Sequence, residues 1–337
     1  MDEKNKKLKN SSASHLIWPL LILATILLFN FLFTPNFFNL QIKDGHLFGS
    51  LIDILNRAAP VMLLAIGMTL VIATSGIDIS VGSIMAISSS IVAVLIAKNN
   101  APLAMAIIVP LIACLAIGSW NGMLISYLGI QPIIASLILL VAGRGIAQLI
   151  TDGQIIPFQN QSFEFIGNGF LFGLPFPITI VLIVLLITQF LSRKTALGLF
   201  IESVGGNPTS SRFAGINANA IKLFVYSFSG FCAGLAGIIA ASNIKAADPN
   251  NCGLNLEMDA VLAVVIGGTS LDGGKYSLVG SMIGALIMQT LKTTILTRGI
   301  PVQATLVVQA IVVVIVCLMQ SESFRKNIQV KFRRTAA

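Results

Sequence analysis

The chain has 337 residues, 55% of them hydrophobic and only 10% charged, with a mean hydropathy of +0.91. Such a composition excludes an ordinary soluble domain. The net charge of +8 does not point to nucleic acid, because the basic residues gather at Lys4–Lys9, Arg193–Lys222 and Arg325–Arg334, beside apolar runs, where membrane topology accounts for them.

The Lys-rich start and the apolar run behind it imitate a signal peptide, but Phe33, Thr34, Pro35 and Asn36 offer no small-residue cleavage site, so the run reads as an uncleaved first span. From Ala58 to Leu191 the charged residues are Asp78, Lys98, Arg144, Asp152 and Glu164, which leaves stretches near the ~20 apolar residues that a crossing helix needs. Spans are expected at 16–34, 58–75, 78–97, 102–127, 131–150, 176–191, 221–242, 257–271, 276–297 and 302–320. The alternation of a barrel strand is absent, so the expected fold is an all-α polytopic membrane protein. It divides into a cytoplasmic tail 1–15, one transmembrane domain 16–320 with a cytoplasmic loop at 192–222, and a basic cytoplasmic tail 321–337. With the N-terminus inside, 14 of the Lys and Arg residues fall on the cytoplasmic side, 6 outside, and Arg144 within a span, so both termini are placed in the cytoplasm. The segment 257–271 is short and contains Gly267 and Gly268. A re-entrant or broken helix is the alternative there, giving eight spans plus re-entrant segments.

Cys114, Cys232 and Cys317 fall in spans and Cys252 in an outer loop, which excludes a disulfide framework. The segment GTSLDGGKY at Gly268–Tyr276 imitates a phosphate-binding loop but has the wrong length and ends in Tyr276. With His15 and His46 the only histidines, no metal motif exists. Catalytic residues, metal and cofactor are all expected to be absent, and the chain is not read as an enzyme.

What remains inside the membrane is a sparse polar set of Thr74, Ser75, Asp78, Asn121, Gln131, Arg144 and Gln148. Such groups are costly in lipid and face a cavity or a partner. Asn121 and Gln131 serve equally as interhelical hydrogen-bonding groups, Arg144 as a structural ion pair, and Asp78 as a helix-start carboxylate near the cytoplasmic face. The GFCAG run at Gly230–Gly234 and the GSMIG run at Gly280–Gly284 read as helix-packing devices.

One long polar segment interrupts the second half of the chain, ESVGGNPTSSRFAGIN at Glu202–Asn217. Asn207 before Pro208 reads as an N-cap with proline at the first helical position, and Gly215 suits a left-handed helix end. A two-turn helix is expected between them, with Gly205 and Gly206 as a flexible pair upstream. Arg193, Lys194, Arg212 and Lys222 mark this side. A solvated loop is the plain reading; a handle offered to a cytoplasmic motor is the functional one.

The segments GMTLVIATSGIDISVGSIMAI at Gly67–Ile87 and VGGNPTSSRFAGIN at Val204–Asn217 resemble the permeases of ribose-type ABC importers, and the resemblance covers nearly the whole chain. Asp44–Val61, Val141–Thr151 and Glu257–Gly274 are similar, more narrowly, to permeases of galactofuranose importers. The resemblance implies a type II importer membrane domain in the bacterial inner membrane, paired with a second permease in a heterodimer or homodimer. It implies two cytoplasmic ABC ATPase domains that bind the ATP, and a periplasmic sugar-binding protein that delivers a monosaccharide. Glu202, Gly205, Gly206, Asn207, Pro208, Arg212, Gly215 and Asn217 then belong to the coupling element. Thr209, Ser210 and Ser211 stand where relatives often carry alanine, which bears on which ATPase docks. The alternatives are a permease for ribose or another monosaccharide, an ATP-independent facilitator or channel, and a membrane scaffold.

Overall fold

A computed structural model describes residues 2–299, 301, 306–311 and 313–314, save Asn36, Asp44, Gly45 and Phe172. Among them the helices are α1 (Asp2–Phe33), α2 (Ser50–Ala73), α3 (Val81–Ala97), α4 (Leu103–Ser126), α5 (Pro132–Thr151), α6 (Gln161–Asn168), α7 (Phe176–Lys194), α8 (Ala196–Gly206), α9 (Pro208–Phe213), α10 (Ala218–Ile244), α11 (Leu256–Ile266) and α12 (Leu278–Thr297). Three small antiparallel strand pairs lie in the loops, β1 (Gln41–Lys43) with β2 (His46–Phe48), β3 (Ile156–Pro157) with β6 (Ala246–Ala247), and β4 (Phe170–Leu171) with β5 (Leu174–Pro175). Seven helices are long and apolar enough to cross a membrane, α1 from Leu16 together with α2, α4, α5, α7, α10 and α12. The protein is a multi-pass membrane protein, and α3 adds a shorter apolar helix.

The observed helices track the expected spans, with instructive departures. Helix α2 begins at Ser50 rather than 58, because Asp53 and Arg57 close an i,i+4 ion pair of 2.8 Å on its exposed first turns and carry the helix beyond its apolar run. Helix α1 runs from Asp2 through the first span without a break. The segment 257–271 is not a full span. Helix α11 has 11 residues, about 16 Å at 1.5 Å per residue, against a hydrocarbon core of about 30 Å. Polar turns at 248–255 precede it and a turn at Gly267 and Gly268 ends it, so the broken-helix alternative is the structure. Of the segment 302–320, helix is described at 306–311 and 313–314; Cys317 and the basic tail 321–337 lie outside the described residues.

Helix α2 is the centre of the bundle, buried continuously from Ala58 to Ala73 beneath α10, α11, α12 and α7. The small-residue runs let the helices around it approach one another closely. A Cβ on Gly230 would lie 2.5 Å from the Cys114 carbonyl oxygen of α4, and one on Gly284 2.0 Å from the Ala263 carbonyl oxygen of α11. Helices α4, α5 and α7 turn Ile112, Ile138, Val141, Leu186 and Phe190 outward, all more than half exposed, as a lipid-facing wall does.

Candidate functional site

The polar segment folds as its capping signals dictate. The Asn207 side-chain oxygen accepts from the Ser210 amide at 2.9 Å, Pro208 takes the first helical position, and Asn217 then caps α10 by accepting from the Ala220 amide at 3.1 Å. Gly215 ends α9 at φ +83°, its amide bonding the Arg212 carbonyl at 3.0 Å while the Ile216 amide bonds Ser211 at 2.9 Å. Only glycine adopts this conformation without strain. Arg212 is held by Asn219 at 2.8 Å. Phe213, which the sequence reading passed over, stands 90% exposed at the tip.

Gly205 and Gly206 are not a flexible pair. They are the last two residues of α8, and Gly205 is wedged against the break that follows α2. A Cβ there would lie 1.8 Å from the Ala73 carbonyl oxygen and 2.6 Å from the Gly274 amide nitrogen. Ser75 completes the junction with its hydroxyl 2.8 Å from both the Gly205 and the Asp272 carbonyl oxygens, and the Gly274 amide donates to Ala73 at 2.9 Å. Three chain segments far apart in sequence therefore meet backbone to backbone beside α9. Glu202 faces inward here, lining a cavity under α8 with Arg193 and Tyr276.

From Ser75 the chain turns back into the bundle. Asp78 reaches the level of Gly67, since both meet Ser229, and Gly67 lies six residues, or about 9 Å, back along α2 from Ala73. Asp78 is fully buried. One oxygen accepts from the Ser80 amide (3.1 Å), the Ser80 hydroxyl (2.5 Å) and the Asn121 amide group (3.3 Å), and the other from Ser229 (3.0 Å). The expectation that Asp78 sits at the cytoplasmic face is corrected: it starts α3 from inside the bundle and ties α4 and α10 to that start.

Helix α11 starts at the same depth and runs the opposite way. Its first carboxylate, Glu257, and the preceding Gly253 pack onto Gly82 in the first turn of α3, so two helix N-termini converge in the interior. Both carry a carboxylate where the helix dipoles call for negative charge. Glu257 is 6% exposed and one of its oxygens has no protein partner. Arg144 braces the polar turns above it by donating to the carbonyls of Pro249 (3.1 Å) and Cys252 (2.6 Å), and Gln148 bonds Asn250 at 2.7 Å. Of the two readings of Arg144, a place on the substrate path or a structural ion pair, the second takes a different form here, with backbone carbonyls as its acceptors. Below this level α11 and α12 share an ion pair between the buried Asp259 and the half-buried Lys292, with Gln309 donating to Asp259 at 2.6 Å.

The predicted polar set therefore divides. Thr74 bonds back to Val71 at 2.8 Å and, with Ser75, belongs to the break beside α8; Asp78 and Asn121 form the buried node; Arg144 and Gln148 hold the second break; Gln131 stands apart, exposed, just before α5.

Comparison with known proteins places this architecture. Residues 50–317 match the family described as the branched-chain amino acid transport system permease component. The chain is 50% identical over 313 residues to the galactofuranose transporter permease protein YtfT of Escherichia coli K12, covering 91% of each chain. It is 39% identical to the fructose import permease protein FruF of Bifidobacterium longum over 99% of this chain and 95% of that one. It is 37% identical to the ribose import permease protein RbsC of Escherichia coli K12 over 86% and 88%. The chain is a ribose-type ABC importer permease. None of the solved structures matches it.

As a permease it is a transporter subunit and not an enzyme. The permease also contains intramembrane charges that the sequence reading missed. Glu257 and Asp259 lie in α11 and Lys292 in α12, within the expected segments 257–271 and 276–297. Their signal was present in the sequence as ionisable residues inside apolar segments.

Proposed function

We propose that this permease forms the translocation path for a monosaccharide, galactofuranose first and ribose or another sugar second, in a bacterial inner membrane. The observation that carries the reading is the 50% identity to a galactofuranose permease across 91% of both chains, against 39% and 37% for the fructose and ribose permeases. The α9 end is cytoplasmic and both termini lie on that side, a placement that the distribution of Lys and Arg supports. A second permease, a cytoplasmic ABC ATPase and a periplasmic binding protein complete the importer. ATP is bound by the ATPase alone, and the permease carries no cofactor.

In this reading α9 docks on the ATPase, with Phe213 as its apolar anchor. A displacement of α9 reaches the membrane through α8, because Gly205 abuts the end of α2 and the 272–274 turn without an intervening side chain. Those two segments lead to α3 and α12, so one push acts on the first break and on the turn that joins α11 to α12. The sugar passes near the converging N-termini of α3 and α11, where Gln148, Asn250 and the exposed face of Arg144 present donors and acceptors suited to neutral hydroxyls. Uptake in cells lacking this chain tests the reading. Loss of galactofuranose import is expected; undiminished import beside a lost response to another solute overturns the choice of sugar.

A further inference from the structure

The end of α7 separates two adjoining cavities. One, of about 370 Å³, is enclosed by the α7–α8 elbow and the turn before α12 and is lined by Gln189, Ser192, Arg193, Glu202, Tyr276 and Ser277. The other, of about 550 Å³, is a groove on the outward face of α7 formed by Leu186, Ile187, Phe190 and Leu191, with Gln189, Arg193 and Lys194 at its end. Gln189 and Arg193 line both. With the Gln189 amide turned so that its oxygen accepts from Arg193 (3.2 Å to Nη2), the guanidinium is held at the seam between them.

The two compartments have opposite chemistry. Leu186, Ile187 and Phe190 are 67%, 54% and 62% exposed on a helix long and apolar enough to cross a membrane, so the groove faces acyl chains. Arg193 and Lys194 end that helix, where the apolar layer gives way to water. The inner cavity offers a cation, a carboxylate and hydroxyls. A simple anion fits it poorly because of Glu202, and a simple cation poorly because of Arg193. A group carrying both charges satisfies it.

We propose that this paired cavity is a seat for a phospholipid whose headgroup carries a phosphate and a protonated amine. The phosphate bonds Arg193, with Lys194 beside it, as basic residues at a helix end receive lipid phosphates. The amine donates to Glu202, and one acyl chain lies along Leu186, Ile187 and Phe190. The lipid fills the space beneath α8, the helix whose last turn makes the Gly205 junction, and so supports the elbow on which α9 is carried. The proposal requires only that α7 crosses a membrane. Its success or failure is independent of the sugar.

Lipid retention tests it. The full-length chain, extracted with its partner subunits from nanodiscs holding equal amounts of phosphatidylethanolamine and phosphatidylglycerol, is analysed for co-purified lipid by native mass spectrometry. Several-fold enrichment of phosphatidylethanolamine is expected, falling to the bulk ratio in Arg193→Ala and in Glu202→Gln and largely kept in Arg193→Lys. Elution of each variant at the wild-type size shows that it has folded. Wild-type retention at the bulk ratio overturns the seat, and equal or greater retention of phosphatidylglycerol overturns the pairing of the amine with Glu202. Displacement of the lipid by soluble glycerophosphoethanolamine at equal concentration would show that the cavity takes a free headgroup and that the groove contributes nothing.

Discussion

Two breaks interrupt the helices of this permease, and they are built to opposite specifications. The break at 74–80 is closed: Thr74, Asp78 and Ser80 are buried, every donor around the Asp78 carboxylate is neutral, and Gly205 seals its lower end. The break at 248–255 is open, with Asn250 and Gln148 exposed and an arginine spanning its carbonyls. A dry break transmits force because its polar groups have no alternative partners in water. A wet one lets hydroxyls exchange with the solvent and with a passing ligand. In the proposed function the first break does the mechanical work and the second lies on the path of the sugar.

The largest expected effect comes from attacking the lower seal. Gly205→Val places a branched side chain where even a Cβ would be 1.8 Å from the Ala73 oxygen, and backbone cannot yield as a flexible side chain does. Uptake by the reconstituted importer is expected to fall by 100-fold or more while ATP hydrolysis loses its response to sugar. Near-normal coupled uptake in this variant would separate the junction from transmission.

Next is the node itself. Asp78→Ala strands donors from Ser80, Asn121 and Ser229 in a buried site, at about 1–3 kcal/mol for each one left unsatisfied. Thermal unfolding of the detergent-solubilised protein should shift down by several degrees, with Asp78→Asn losing about half as much. An unshifted transition in the Ala variant means that the node contributes no rigidity.

At the open break the same truncation should behave differently. Arg144→Ala frees the carbonyls of Pro249 and Cys252 in a turn whose Asn250 and Asn251 are exposed, so uptake is expected to drop about 10-fold with little change in thermal stability, and Arg144→Lys to recover part of it. Measuring membrane-inserted protein beside uptake distinguishes lost transport from lost assembly. A stability loss equal to that of Asp78→Ala would erase the distinction between the breaks.

The smallest effect belongs to the handle, which touches neither break directly. Gly215→Val forces a β-branched residue to φ +83°, a local strain of about 1–2 kcal/mol. Sugar-stimulated ATP hydrolysis should decline several-fold with insertion intact; unaltered stimulation and uptake would remove α9 from coupling.

The caps of α9 and α10 were legible because a cap is made within a few residues: Asn207, Pro208, Gly215 and Asn217 each act on a neighbour no more than four positions away. The broken character of 257–271 was visible as an alternative, from its length and its glycines. The burial of Asp78 was not legible, because Asn121 lies 43 positions away and Ser229 lies 151, and nothing local to Ser-Gly-Ile-Asp distinguishes a solvated helix start from an interior one. Gly205 misled for the same reason. A glycine beside a proline-capped helix reads as a hinge until Ala73 and Gly274 arrive against it.

By itself, then, the sequence determined what depends on the order of neighbouring residues: an apolar helical chain, the positions of most helices, the capped handle and the family. The tertiary structure alone decided which helices stop short inside the bundle, which polar groups are sealed and which stay wet, and that α8 bears on the first break and on the turn before α12. Those properties depend on hydrogen bonds and close approaches between segments tens to hundreds of residues apart, where packing chooses among partners that local chemistry leaves equivalent.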